Sequence, residues 1–236
     1  MMKLVVVRHG ESEYNESNLF SGWEDIALTE KGIDEARTAG RIIKKMNISF
    51  DVAYTSVLRR SIKTLQYILD EIGREWLPVH KTWRLNERSY GALQRLNKAE
   101  TAVKYGKERV DGWRKSFAIL PPLLDAGDPR HPCHDPRYRH VDPHLLPAGE
   151  SLKTTLERVL PCWADQIAPH LIDGENVLIV SHRNTLRALF KYLDHLSDEA
   201  IVHVDVPTGV PIIYEFDREL TVLSKREATL EPSVDD

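Results

Sequence analysis

Cysteine is scarce. Cys133 and Cys162 are the two in 236 residues, too few for a disulfide framework. No apolar run approaches the roughly 18 residues of a membrane span, and a strand-like run begins almost at the N-terminus. Neither a transmembrane helix nor a secretory leader is therefore expected. With few thiols and no leader, a reducing cytoplasm is the expected location. Basic charge is not in excess: 32 Lys and Arg stand against 36 Asp and Glu, a net charge of -4. That balance argues against a general nucleic-acid or membrane-surface binder, so any anion site must be a local gathering of Arg and Lys. Internal repeats and low-complexity tracts are also missing. What is present suffices for a core: 42% of the residues are hydrophobic. The length fits one domain of about 200–250 residues or two small ones.

The stretch Leu4-Val5-Val6-Val7-Arg8-His9-Gly10-Glu11-Ser12 organises the chain. Its unbroken apolar run reads as a strand buried on both faces. The run ends in a cation, an imidazole and a glycine, and ligands of parallel α/β sheets bind just beyond the carboxyl ends of strands. Gly10 lacks a Cβ and allows close backbone approach to a ligand.

Residues 10–28 read as a loop. Thr29 caps a helix whose inner face holds Ile33, Ala36, Gly40 and Ile43. Val52 to Thr55 is a short strand, and Leu58, Ile62, Leu65, Leu69 and Ile72 mark an amphipathic helix. Arg59 and Arg60 in its first turn oppose the helix dipole, a local inconsistency of the sort found at functional sites. Leu77 to His80 is an edge strand because of Pro78. Residues 81–96 form a loop, followed by helices over about 97–105 and 107–117. Seven of the thirteen prolines fall in 118–148, an irregular insertion over one edge of the domain. Glu150 to Leu171 is helical and split or kinked at Pro161. Asn176 to Val180 is a second apolar strand ending in Ser181-His182, then a helix over Thr185 to Leu193 and a strand over Val210 to Phe216.

The expected fold is α/β, with a mainly parallel sheet flanked by helices on both faces. Residues 1–226 form one domain, and 227–236 are a flexible tail. His9, Ser56 and His182 each follow a candidate parallel strand and should meet on one rim. Two histidines with Arg8 and Arg60 suit a phosphoryl group, which needs an in-line nucleophile and positive charge around its oxygens. Glu87 is the best candidate proton donor for the leaving oxygen; its alternative role is a salt bridge with Arg84 or Arg88. His131, His134, His140 and His144 with Cys133 match no structural zinc spacing, so no metal site is expected. Trp76, Trp83, Trp113 and Trp163 read as core or interface anchors.

Arg8-His9-Gly10-Glu11-Ser12, Thr55 to Arg60, Leu85-Asn86-Glu87-Arg88 and the late His182 resemble the histidine phosphatase superfamily. More closely, with Asn97 to Thr101, Glu150-Ser151-Leu152, Leu186 to Leu189 and Pro207 to Pro211, the chain resembles the cofactor-dependent phosphoglycerate mutases, from about residue 3 to 218. The resemblance implies interconversion of 2-phosphoglycerate and 3-phosphoglycerate, in glycolysis and gluconeogenesis. His9 would carry the phosphoryl group, primed by 2,3-bisphosphoglycerate, without a metal. Arg8, Arg60 and His182 would hold the phosphoryl oxygens, with Glu87 as acid and base. Arg88, Tyr90, Lys98, Arg114 and Lys115 would grip the carboxylate and second phosphate, and Ser12, Asn15, Ser21, Gly22 and Asn184 would complete the pocket. It also implies a homo-oligomer, dimer or tetramer.

Alternatives are a phosphatase acting on bisphosphoglycerate or another phosphoester, and an impaired relative that only binds phosphoesters. Ser12 favours the mutase branch. Arg183 and Arg95 stand where the family usually has glycine. Arg183 would strain the turn, point outward, or add a phosphate contact. Lys115 replaces an arginine and loses its bidentate fork. The family's usual C-terminal tail is not recognisable beyond Lys225, and poor cover would shift the balance toward hydrolysis.

Overall fold

The computed structural model describes residues 2–229. β1 (Met2–Arg8) is followed by a one-turn helix α1 (Glu13–Glu16), then α2 (Glu30–Lys45), β2 (Val52–Thr55), α3 (Arg59–Ile72) and β3 (Val79–Lys81). Next come α4 (Lys98–Tyr105), α5 (Lys107–Lys115), α6 (Leu152–Cys162), α7 (Ala168–Ile172), β4 (Val177–Ser181), α8 (Arg183–Leu193), β5 (Pro211–Phe216) and β6 (Val222–Glu227).

The six strands form one sheet in the order β3-β2-β4-β1-β5-β6. β3, β2, β4 and β1 pair in parallel, whereas β5 runs antiparallel to β1 and β6 antiparallel to β5. The parallel part and the helices on both faces match the sequence expectation; the antiparallel edge and β6 do not follow from it. β6 escapes periodicity because it is an edge strand with mostly exposed side chains. Register then aligns the carboxyl ends: Arg8 lies opposite Ser181, and Thr55 opposite both Val180 and Lys81. The residues that follow these strands must gather on one rim.

β1 is central and its side chains alternate between two cores. Leu4 and Val6 pack with Trp163, Leu171, Leu189 and Phe190 from the α6–α8 side. Val5 and Val7 pack with Ala39, Ile43, Leu65 and Ile68 from α2 and α3. Each such side chain contributes about 1.5–3 kcal/mol by leaving water, which fixes the strand position carrying His9. Thr29 Oγ1 accepts the Gly32 amide at 3.1 Å and starts α2. α3 ends at Gly73, φ 64°.

Arg59 and Arg60 at the start of α3 are offset from outside the helix. Asp25 Oδ1 accepts the Arg59 amide at 2.7 Å, which puts a carboxylate at the positive end of the dipole. Pro161 lies in the last turn of α6, and a wider turn over Trp163–Ile167, with i to i+5 bonding, joins it to α7. Helical backbone continues through Pro161 and this wide turn into α7, so in place of the expected kink or split at Pro161 the irregularity begins two residues after it. The 118–148 segment holds three short 3-10 turns. It seats Tyr138 and Leu146 over Trp23. Trp113 and Trp163 are buried, but Trp76 is 68% exposed and anchors no core. The tail expected to begin at 227 is different at its start: Glu227 closes β6, and the buried Ala228 donates its amide to Pro211 O at 2.9 Å. Residues 230–236 of that tail lie outside the described residues.

Candidate active site

His9 follows β1 and is 3% exposed. Its Nδ1 lies 2.7 Å from Gly10 O. A carbonyl only accepts, so Nδ1 carries the proton and Nε2 keeps its lone pair. Arg60 Nε donates to that lone pair at 3.3 Å. Burial first, and then the Arg60 and Arg8 cations, hold His9 well below its ordinary value of 6.5. A neutral ring with a free Nε2 is the nucleophilic form.

Gly10 is needed for a different contact from the one expected. A Cβ there would stand 2.0 Å from the Gly32 carbonyl oxygen, so this glycine lets α2 press against the loop rather than opening space for a ligand.

His182 follows β4, and its ring centroid is 4.9 Å from that of His9 at 61°. It is fully buried, and its Nε2 lies 2.8 Å from Ser56 Oγ. Burial, then Arg60 and His9, hold it well below 6.5 as well. Arg60 donates its remaining nitrogens to Glu24 O at 2.8 Å and Gly22 O at 2.9 Å. Gly22 thus serves through its carbonyl. Burial lowers Arg60 to about 10, so it stays charged at neutral pH. Arg8 donates to Val206 O at 2.8 Å and leaves its buried Nε without a partner.

Glu87 sits in the loop after β3. Its Oε1 accepts the amides of Arg88 (2.8 Å) and Asn184 (3.2 Å), not a side chain of Arg84 or Arg88. The loop itself is clamped from behind. Glu150 Oε1 accepts Arg158 Nε at 2.6 Å and Glu150 Oε2 accepts the Ser89 amide at 2.8 Å. Arg158 further donates to the carbonyls of Trp83, Arg84, Asn86 and Glu87. Trp23 Nε1 adds a bond to Glu87 O at 2.6 Å.

A cavity of ≈ 320 Å³ is lined by Arg8 and Glu87 of this group, while the more deeply buried His9, Arg60 and His182 lie outside its lining. Arg8 and Glu87 reach its inner wall, and Asn15, Ser21 and Tyr90 line it. Lys98, Arg114 and Lys115 approach from α4 and α5; Arg183 and Asn184 approach from the start of α8. Burial chiefly lowers Lys98, opposed by Tyr90 and aided by Arg114. Burial alone would raise the Tyr90 phenol, yet the Arg88 cation and its hydrogen bond bring it below 10.

Three expected pocket residues act from behind the lining. Ser12 Oγ and amide both bond Asn15 Oδ1 (2.9 and 3.1 Å). Arg88 is fully buried, bonds Tyr90 OH and Arg114 O, and leaves Nε and Nη1 unpartnered. Gly22 is the third. Arg183 has no left-handed backbone and begins α8, so the expected strained turn is not there. Its side chain reaches Asp205 at 2.9 Å on the cavity rim. Arg95 does sit at φ 74°, beside its ion pair with Glu24 at 3.0 Å.

Sequence reasoning missed Arg187 and Val202 in the lining, and Arg158 behind the loop. Arg187 bonds Asn184 Oδ1 and Ile201 O, with its buried Nε unpartnered. A helix-face arginine in an apolar stretch was the available signal. His131 Nδ1 lies 3.0 Å from Cys133 Sγ. Among the described residues no three His, Cys, Asp or Glu gather as a metal site.

Two adjacent imidazoles, a nucleophilic Nε2, a nearby carboxylate and unpartnered guanidinium nitrogens make a site for phosphoryl chemistry on an α/β rim. The chain belongs to the histidine phosphatase superfamily, whose branch 1 model matches residues 4–128 and 125–229. Within it, the chain groups with the 2,3-bisphosphoglycerate-dependent phosphoglycerate mutases. It is 55% identical over 227 residues to phosphoglycerate mutase 2 of that type from Lactiplantibacillus plantarum, covering 96% of this chain and 99% of the relative. It is 55% identical over 225 residues to the one from Treponema denticola, covering 95% and 91%. Among solved structures, a mycobacterial glucosyl-3-phosphoglycerate phosphatase superposes with a TM-score of 0.72 at 22% identity, over 99% of this chain and all of the other. At that identity the likeness concerns the fold alone.

Proposed function

We propose that this chain is a 2,3-bisphosphoglycerate-dependent phosphoglycerate mutase, interconverting 2-phosphoglycerate and 3-phosphoglycerate by way of phosphorylated His9. The observation that carries the reading is the His9 ring itself. Its Nδ1 proton is committed to Gly10 O, and its Nε2 lone pair faces Arg60 beside His182. Relatives 53–55% identical carry that activity in their names.

His9 Nε2 attacks phosphorus; the N–P bond forms as the P–O bond to a glycerate hydroxyl oxygen breaks. Glu87 delivers a proton to that oxygen and takes one back from the other hydroxyl when the phosphoryl group returns. Arg60 Nε–H trades the imidazole lone pair for a phosphoryl oxygen, while the unpartnered Nε of Arg8 and Nδ1 of His182 receive others. Such pre-aimed donors are typically worth about 10²–10³-fold each. The second phosphate and the carboxylate fall to Lys98, Arg114, Lys115, Arg183 and Arg187 in the lining and to the buried Arg88 behind them. A cavity of ≈ 320 Å³ suits a three-carbon bisphosphate and lies at the small end of ligand pockets. Bisphosphoglycerate supplies the priming phosphoryl group when bound. In the same reading the enzyme is cytoplasmic and homo-oligomeric, and needs no metal because side chains carry the positive charge.

Incubation with labelled 2,3-bisphosphoglycerate tests it. Wild type traps acid-labile label that His9→Ala abolishes, and 3-phosphoglycerate yields 2-phosphoglycerate without free phosphate, also in EDTA. Release of phosphate in step with substrate loss would make it a phosphatase. Binding without label would make it a binder. Activity lost in EDTA and restored by a divalent cation would refute the metal-free part.

A further inference from the structure

His182 presents an accounting problem. Its ring is fully buried, Nε2 meets Ser56 Oγ at 2.8 Å, and Nδ1 is buried with no partner among the described residues. A neutral imidazole carries one proton, and its place decides whether the unpartnered nitrogen is a donor or a lone pair. Ser56 is fully buried too, at the turn between β2 and α3, and its Oγ accepts the Leu58 amide at 3.1 Å. If His182 donated through Nε2, the Ser56 hydroxyl proton would be left buried without an acceptor. Nδ1 would then turn a lone pair toward an incoming anion. If Ser56 donates to Nε2 instead, the hydroxyl is satisfied on both sides. The one open group is then an Nδ1–H, which a phosphoryl oxygen completes.

We propose that Ser56 is a positioning residue: its hydroxyl donates to His182 Nε2 and so fixes the Nδ1–H tautomer that receives the phosphoryl group. The two histidines then share one tautomer set by different partners and put it to opposite uses. His9 spends its Nδ1–H on Gly10 O and offers the Nε2 lone pair; His182 spends Nε2 on Ser56 and offers Nδ1–H. The consequence for catalysis rests on the phosphoryl-transfer reading above; the tautomer itself does not.

Long-range proton–nitrogen correlation spectra of ¹⁵N-histidine-labelled enzyme, with His182 assigned by comparison with His182→Asn, read the tautomer directly in the free protein. Wild type is expected to show a protonated Nδ1 and an unprotonated Nε2 at His182. Ser56→Thr keeps this pattern, whereas Ser56→Val and Ser56→Ala move His182 toward a mixture of tautomers. The rate of His9 phosphorylation should fall about 10-fold or more in Val and Ala. KM should change less than about threefold, and Thr should remain near wild type. The Thr and Val pair separates the hydroxyl from packing if Ala folds poorly. A protonated Nε2 in the wild type overturns the proposal. So does a Val variant that keeps both the pattern and the rate. Should wild type trap no label at all, the functional reading fails while the spectra still decide what Ser56 does.

Discussion

Arg158→Met removes the charge that holds the Glu87 loop and roughly preserves bulk. Arg158 and Glu150 are an ion pair with side chains 5% and 3% exposed, joined at 2.6 Å. After the substitution Glu150 keeps the Ser89 amide at 2.8 Å but loses both guanidinium bonds. Four loop carbonyls each lose the guanidinium, although Trp83 O keeps the Asn86 amide, Asn86 O keeps Thr185 Oγ1 and Glu87 O keeps Trp23 Nε1. Breaking a buried pair from one side costs about 3–5 kcal/mol, a fifth or more of the stability of an ordinary domain. At about 2–4 °C per kcal/mol for a chain this size, Tm should fall by about 6–20 °C. Activity should suffer beyond stability, because these carbonyls flank the carboxyl that moves the proton, and a misplacement of about 1 Å costs about 100-fold. The pair Glu150→Leu with Arg158→Met separates the two effects. Burying two apolar groups removes the stranded charge and recovers most of the Tm, but the loop has lost the Arg158 and Glu150 clamp and keeps Trp23 Nε1 and Thr185 Oγ1 among its remaining ties, so kcat stays low. Calorimetry and steady-state assays on the three proteins read both quantities. A single variant melting within about 2 °C of wild type, or a double variant no more stable than the single, refutes the reasoning.

Three further outcomes are expected. Arg95→Gly relieves a left-handed backbone at φ 74° that costs a side chain about 1–2 kcal/mol. It loses an ion pair whose arginine is 57% exposed and which is worth at most about 1 kcal/mol, so Tm should rise by up to about 8 °C; a fall would refute this. Stability should drop as pH falls below about 6.5. His9, His182 and His131 are all held below their ordinary value, chiefly by burial, so between that value and their folded ones the unfolded chain binds more protons. Melting curves between about pH 5 and 7 should show this, with a shallower slope in His9→Asn; an unchanged Tm across the range would contradict it. Arg183→Gly should leave Tm within about 2 °C, since its pair with Asp205 is largely exposed, yet raise KM about fivefold, while Asp205→Asn frees the cation and lowers KM. An unchanged KM in Arg183→Gly would mean the cation does not meet substrate.

The apolar runs at residues 4–7 and 177–180 could be read as buried strands from composition, because a strand covered on both faces has no polar alternation to disguise it. The helix capped by Thr29 was equally legible, since capping acts over three or four residues. The chemistry of Arg8, His9, Glu87 and His182 was suggested by residue type and by family blocks. Other features had no local signature. β6 is mostly exposed and antiparallel, and only its pairing with β5 makes it a strand. Gly10 looked like room for a ligand until α2 came against it. Arg158 carries no local mark of its role, because its guanidinium meets four carbonyls some seventy residues earlier in the chain. The sequence alone determined which segments must leave water and which residues could do acid, base and nucleophilic work. Tertiary structure decided where each proton sits, because a tautomer or a guanidinium's partner depends on oxygens delivered by strands and loops distant in the chain.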